Sequence, residues 1–341
     1  MRRTKTIKDV AARARVSVGT VSAVINRNPS VAEATRERVQ KSIEELGYKP
    51  NSNARSLRYR RVSSVGLIVP DLRNPFFSSV AEGVQLTAEQ HDVLLVLCMT
   101  WAKAEREQYY AQTLQTARLD GVIYLSGSGM PSPGLLRLAK SRQILLVDES
   151  LPGVDIPFVS AQNRSGAREV AQHVLSMGHK SVAIIGGPPR LWTSEQRLAG
   201  YREAVAAAGI NPDTIPVVNG DYDEASGHRI AGELLGKRKP PSITALLCAN
   251  DLMAIGAMKY CREAGLQVPR DVSITGFDNI PESSLSDPAL TTVSQPGREM
   301  GQAAAQLLLH QIKGVERPAV TDFPTQVCLR ESVAVVRVAR K

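Results

Sequence analysis

Apolar residues recur along this chain at two different periods. Over residues 6–47 they fall three and four apart: Ile7, Val10, Ala11 and Ala14, then Val21, Val24 and Ile25, then Val39, Ile43 and Leu46. That spacing places each set on one face of a short helix. The punctuation between them agrees. Thr6 with Asp9 reads as a capping box opening the first helix, and Arg15-Val16 makes a turn. Ser17 can cap the second helix, which ends over Asn26 to Pro29. Ser30 with Glu33 reads as a capping box for the third, which stops at Gly47. From Val65 the pattern changes. Apolar runs at 65–69, 93–98, 121–125, 144–147, 181–185, 243–248 and 272–277 alternate with amphipathic stretches such as 76–90, 104–118, 164–177, 195–208 and 251–264. Strand–helix alternation of this kind predicts an α/β fold with parallel sheets.

A body of about 275 residues is large enough for two such lobes. Crossings between them are expected near 160–163, 290–295 and 325. Residues 51–61 belong to neither pattern: they are polar and basic with one prominent apolar residue, Leu57. So short a segment cannot hold a helix alone, because isolated helices below about 12–15 residues are marginal in water. The chain therefore reads as a small all-α helix-turn-helix domain (1–50), a hinge helix or linker (51–61) and a two-lobed α/β domain with parallel sheets (62–341).

Charge sharpens this division. The net charge is +9, and residues 1–61 carry fifteen Lys and Arg against five Asp and Glu, whereas the rest carries 27 against 28. A basic excess confined to a small folded segment is the footprint of polyanion binding. In a helix-turn-helix the second helix enters the major groove. With Val21, Val24 and Ile25 turned inward, its outward residues are Ser17, Val18, Gly19, Thr20, Ser22 and Ala23. The hydroxyls suit phosphates, and Val18 and Ala23 offer only apolar contact, such as to a thymine methyl. No Arg, Asn or Gln stands among them for a bidentate base contact, so part of the selectivity must come from DNA shape and from the linker.

Other chemistry is excluded. No 18-residue apolar run exists for a membrane span, and the basic N-terminus lacks the apolar stretch of a secretory signal, which points to the cytoplasm. Cys98, Cys248, Cys261 and Cys328 lack metal or redox spacing and are expected to be buried thiols. The five histidines form no metal motif. Ser126-Gly-Ser-Gly129 is followed by prolines rather than a dinucleotide fingerprint, and Gly186-Gly-Pro-Pro189 has prolines where phosphate-cradling amides would be needed. No catalytic constellation, cofactor or metal is expected.

Motif by motif, the chain resembles the LacI family of bacterial transcription regulators. The stretches are Thr6-Ile-Lys-Asp-Val-Ala, Val16-Ser-Val-Gly-Thr-Val-Ser-Ala-Val-Ile-Asn26, Leu46-Gly-Tyr-Lys-Pro-Asn51, Ala54-Arg-Ser-Leu-Arg58, Asn74-Pro-Phe-Phe77, Arg197-Leu-Ala-Gly-Tyr201, Ala249-Asn-Asp251 and Gly276-Phe-Asp278. The resemblance implies a homodimer on a pseudo-palindromic double-stranded operator and a body like a periplasmic sugar-binding protein. It adds Thr6, Asn26, Asn51, Arg55 and Arg58 to the DNA-contacting set, and it implies that Leu57 wedges into the minor groove. The family expectation is a repressor of carbohydrate-utilisation genes, with a sugar inducer favoured over a corepressor; the sequence does not fix the sign. With no leucine-heptad tail after the apolar run at 333–338, a dimer is expected rather than a tetramer. Ala23 departs from the large polar residue many relatives carry, so the operator cannot be copied from them.

The cleft between two such lobes, at the carboxyl ends of their strands, is the default ligand position. The resemblance places effector contacts at Phe76, Phe77, Asp148, Arg197, Tyr222, Asn250, Asp278 and Gln295; Trp101, just after the second strand, is added on position. Glu149 departs from the arginine common there. Carboxylates, amides, aromatic rings and one arginine suit a small neutral sugar or polyol better than a sugar phosphate or acid. A nucleobase stacked on Phe77 stays open.

Overall fold

Where the apolar period is three to four, the chain folds as three helices, α1 (Ile7–Ala14), α2 (Val18–Ile25) and α3 (Glu33–Leu46). The computed structural model describes residues 5–25, 28, 30–48, 62–117, 119–236, 241–315 and 320–336. The chain divides into two units, 1–61 and 62–341. In the first, Val10, Ala11, Ala14, Val21, Val24 and Val39 form the core. The amide and hydroxyl of Thr6 both donate to Asp9 Oδ2, at 2.7 and 2.8 Å, and close the expected capping box. Arg15 makes the turn in the left-handed region, and Gly47 ends α3 there. The Thr20 amide donates to Ser17 Oγ at 3.0 Å, the expected cap of α2. The cap expected from Ser30 is not made. Ala32 occupies the N-cap of α3, and the Ser30 amide and hydroxyl donate instead to Asn28 Oδ1 at 3.0 and 2.8 Å. Asn28 thus takes the amide that a capping box would direct to Glu33, and Ser30 stands two residues before the N-cap.

The second unit alternates strand and helix. Lobe 1 contains β1 (Ser64–Val69), α4 (Pro75–Gln90), β2 (Leu94–Met99), α5 (Ala104–Thr116), β3 (Gly121–Tyr124), α6 (Pro133–Ser141), β4 (Gln143–Val147) and β5 (Phe158–Ala161). Lobe 2 contains α7 (Asn163–Ser176), β6 (Val182–Gly186), α8 (Trp192–Ala207), β7 (Val217–Asn219), α9 (Glu224–Leu235), β8 (Ala245–Cys248), α10 (Asp251–Glu263), β9 (Ser273–Thr275) and α11 (Pro281–Leu285). The chain then crosses through β10 (Thr292–Ser294), returns to lobe 1 as α12 (Gly297–Ile312) and β11 (Val320–Phe323), and crosses again at β12 (Gln326–Cys328). Lobe 1 is a six-stranded parallel sheet in the order β11-β5-β4-β3-β1-β2, and lobe 2 a four-stranded parallel sheet in the order β7-β6-β8-β9. Central strands such as β3 and β8 are buried along their whole length, which is why they read as unbroken apolar runs. The short strands β5 and β7 and helices α6 and α9 lack that signal.

The three crossings are bonded to one another. The Gln162 amide donates to the Phe323 carbonyl at 2.8 Å, and Thr325 Oγ1 to the Gln162 carbonyl at 3.3 Å. β10 and β12 pair antiparallel, Val293 opposite Val327. The apolar run after residue 332 forms no strand in the described residues. It lies along lobe 2, with the Ala334 carbonyl 2.9 Å from His179 Nε2 and the Val336 amide donating to Met177. Cys98, Cys248 and Cys261 are buried; Cys328 is only half-buried, because a two-stranded crossing has no second layer over it. Among the described residues no helix is long and apolar enough to cross a membrane.

Candidate functional site

Two sites were expected. On α2, Ser17, Val18 and Gly19 are exposed, Val18 to 41%, and Thr20, Ser22 and Ala23 are half-exposed, while Val21 and Val24 are buried. The outward face is therefore the one expected. Thr6 is exposed at the start of α1. Asn26, Asn51, Arg55, Leu57 and Arg58 lie outside the described residues.

In the second unit the carboxyl ends of β1, β3 and β4 face those of β6, β8 and β9. α8 delivers Arg197 into this space, where it is 3% exposed, with its guanidinium carbon over the Phe277 ring, 4.0 Å from the centroid. Its Nε donates to Asn163 Oδ1 at 2.8 Å, one guanidinium NH to the Ala249 carbonyl at 2.6 Å, and the same nitrogen stands 3.3 Å from Asp278 Oδ1. Gln295 Nε2 donates to that same oxygen at 2.7 Å. Asp148 follows β4 with a left-handed backbone, φ 68°, and Tyr222 and Asp278 also have positive φ. Three non-glycine residues in this costly conformation around one arginine mark a site the rest of the fold holds in place. Asp148 Oδ1 and Gln295 Oε1 are buried with no partner in the chain.

Burial dominates the electrostatics. Asp278 is pushed up by burial, against Arg197 and Gln295, to about 6. Asp148 is raised by burial and by the Asp278 charge, against Arg197. Glu149 is raised by burial and by its neighbour Asp148, against its bonds from Thr193. Burial pulls Arg197 down, but Tyr222, Asp278 and Asp148 outweigh it and hold it charged above its ordinary value. The site thus crowds three carboxyls around one cation.

The other expected residues divide. Tyr222 lies over Gly187, where a side chain would collide with its ring, and its hydroxyl is 2.8 Å from Ser194 Oγ. The loop after β6 is thus filled by a tyrosine and has no room for a phosphate cradle. Asn250 is engaged at both ends of its amide: it accepts from the Met253 amide at 2.9 Å as the cap of α10 and donates to the Tyr222 carbonyl at 3.0 Å. Phe76 is buried in the lobe 1 core and lines, with Asp278 and Gln295, a cavity of about 390 Å³. Phe77 packs half-buried on that core, edge to face with Phe76. Trp101 stands apart, 45% exposed, with the Arg73 guanidinium 5.0 Å over its ring. A larger cavity, about 450 Å³, opens at the amino ends of β3 and β4 and is lined by Asp120, Arg142 and Gln311, none of them an expected site residue. No group of three His, Cys, Asp or Glu among the described residues could hold a metal.

Sequence reasoning missed Asn163, Phe277 and Thr193. Phe277 carried a signal, since it sits inside Gly276-Phe-Asp278. Thr193, which donates its hydroxyl to Glu149 Oε1 and its amide to Oε2 at 3.4 Å, carried none.

Residues 6–51 match the family described as bacterial regulatory proteins, lacI family, and residues 171–333 match a periplasmic binding protein-like domain. The chain is 34% identical over 310 residues to the HTH-type transcriptional repressor CytR of Escherichia coli K12, covering 91% of this chain and 90% of that protein. It is 35% identical over 330 residues to the ribose operon repressor of Halalkalibacterium halodurans, covering 96% of each. Among solved structures, the lac repressor dimer bound to operator and the anti-inducer ONPF superposes with a TM-score of 0.82 at 28% identity, over 97% of this chain and all of that one. The transcriptional regulator CelR in complex with cellobiose gives 0.72 at 32% identity, over 96% and 99%.

Proposed function

From the premise that this chain belongs to the LacI family and is a DNA-binding transcriptional repressor, we propose that a small neutral sugar or polyol in the inter-lobe cleft controls its hold on DNA. One observation carries this reading: Asp148 Oδ1 and Gln295 Oε1, buried and unpartnered, are two acceptors at one arginine-centred site. An unsatisfied buried acceptor costs about 1–3 kcal/mol, so each favours a ligand that brings a donor. Hydroxyls do so without adding negative charge to a site that already holds Asp148, Glu149 and Asp278 against Arg197. Two solved relatives, CelR in complex with cellobiose and a LacI family regulator of Enterococcus faecium with bound ribose, agree in class.

The repressor acts in the cytoplasm as a homodimer on a pseudo-palindromic operator, its regulated genes serve carbohydrate use, and it performs no catalysis. Leu94 and Leu97 on the edge strand β2, and Leu285 on α11, are exposed apolar residues suited to a subunit face. Residues 51–61 act as the hinge, with Leu57 in the minor groove. The sugar is an inducer that changes the angle between the lobes and so weakens hinge order. A coupling of about 1–3 kcal/mol would change operator affinity 5–150-fold.

A thermal-shift screen of neutral monosaccharides, disaccharides and polyols tests this, with sugar phosphates and nucleobases as rival arms. At a hundredfold excess over Kd the expected shift is roughly 5 °C or more. The shift should vanish in Asp278→Asn, which should still bind DNA selected from a random-sequence library. A shift only with a phosphorylated sugar or a nucleobase would overturn the neutral-sugar reading.

A further inference from the structure

Glu107, on α5, is fully buried and belongs to neither expected site. Its carboxylate is wrapped by the loop after β3, the Ser126-Gly-Ser-Gly129 stretch. Oε1 accepts from the amides of Gly127 and Ser128 at 2.7 and 3.1 Å and from Ser126 Oγ at 3.5 Å. Oε2 accepts from Ser128 Oγ at 2.6 Å and from the Tyr124 hydroxyl at 2.9 Å. Ser126 Oγ in turn accepts from the Gly129 amide at 3.1 Å. Amide and hydroxyl donors converging on one buried carboxylate fix a loop firmly, because charge-assisted bonds are about twice as strong as neutral ones.

The tip of that loop touches the other lobe. Gly129 has φ 68°, and a Cβ there would lie 2.2 Å from the Arg190 carbonyl oxygen, so backbone meets backbone across the cleft. Arg190 immediately precedes the first turn of α8. Two more lobe 1 elements meet the same turn. Glu149, after β4, takes both bonds from Thr193, and the Phe158 ring at the start of β5 stands edge-on to Trp192 at 5.7 Å. One helical turn of lobe 2 is thus the seat for three successive parts of lobe 1, and the same helix carries Arg197 into the cleft.

We propose that Glu107 is a positioning residue for closure of the lobes: by fixing residues 126–129 it sets where lobe 1 comes to rest against the first turn of α8. This rests on reading the cleft as the effector site. Its consequence is that a residue buried inside lobe 1 governs the stability of a seat in lobe 2.

Amide hydrogen exchange on the full chain, without any added ligand, tests it. Glu107→Ala is expected to speed exchange at Gly127 and Ser128, and also at Thr193 and Glu195, each by about tenfold or more, as local opening replaces protection. Exchange within α10 should be unchanged. Glu107→Gln, which keeps an acceptor for both loop amides, should restore near wild-type rates at all four positions. If Glu107→Ala does not fold, Gly129→Ala provides the same test from the other side. It leaves the carboxylate intact, pushes the tip off Arg190 and should speed exchange at Thr193 and Glu195. Acceleration confined to residues 126–130 would reduce Glu107 to a staple within lobe 1 and overturn the proposal. Equal acceleration across α10 would overturn it as global loosening. A Gly129→Ala variant with unchanged exchange at Thr193 and Glu195 would overturn it too. Because no ligand is used, failure of the neutral-sugar reading leaves this result intact, and the reverse also holds.

Discussion

The outward face of α2 and the cleft around Arg197 are built on opposite terms. The α2 face offers hydroxyls, a glycine and two small apolar side chains, open to solvent and without a charge. The cleft buries Asp148, Glu149, Asp278 and Arg197, whose charges depend on one another. A sparse open face gains little from any single contact and can be altered at little cost to folding. A dense buried site gains much from each contact and is fragile to the loss of any. On the proposed reading, affinity for DNA is spread over many phosphates, whereas affinity for the effector is concentrated in a few groups.

The contrast breaks most directly at Arg197. Arg197→Ala leaves Asp148 and Asp278 facing each other without compensation, and removing one partner of a buried ion pair costs about 3–5 kcal/mol. The expected outcome, by chemical denaturation, is a loss of that size in the unit 62–341, together with loss of any sugar-induced shift. A loss below about 1 kcal/mol would show that the cluster does not act as a unit. Salt comes next. With six to ten phosphates neutralised, DNA affinity measured by fluorescence anisotropy should fall roughly 10³-fold or more between 50 and 200 mM salt. Binding of a neutral sugar should be almost flat over that range, since the site is buried. Equal slopes would erase the distinction.

A smaller effect follows from pH. Asp278 titrates near 6 in the folded chain against an ordinary 3.8, and Asp148 and Glu149 are raised as well. A carboxyl whose folded pKa lies above its unfolded one holds its proton more tightly when folded. Its contribution is greatest below the unfolded value and is lost as pH rises through the folded value. The thermal midpoint of the ligand-free chain should therefore drop between pH 4 and 7, and Asp278→Asn should flatten that drop. A midpoint that climbs steadily over this range would contradict the burial argument. The smallest effect belongs to α2. Val18→Ala removes an exposed contact, so stability should change by less than about 0.5 kcal/mol. Affinity for selected DNA should fall by about tenfold or less, as expected for a single apolar contact.

Local features of both regions were legible in the sequence, and long-range ones were not. The Thr6–Asp9 box, the Gly47 stop and the outward face of α2 follow from residues within one or two turns of each other. The Ser30 cap failed on the same scale, because Asn28 competed for the donor at shorter range. In the cleft, the strand-end positions of Asp148 and Asp278 followed from the alternation of runs. The partners that make them a site did not: Asn163 reaches Arg197 across 34 residues, and Thr193 reaches Glu149 across 44 and from the other lobe. Trp101 was placed by its position after β2, but nothing in the pattern indicated that Arg73 covers it. Periodicity reports which side of an element faces inward and carries no information about what it meets there.

The first and second crossings between the lobes are each hydrogen-bonded to the third, Gln162 to Phe323 and Thr325, and β10 to β12. Mechanically, that makes them one laminated strap rather than three separate cords. Hydrogen bonds between neighbouring crossings resist their sliding past one another, so no crossing can shift without its neighbour. On the proposed reading, a ligand that draws the lobes together works against one joined strap and not against three independent tethers.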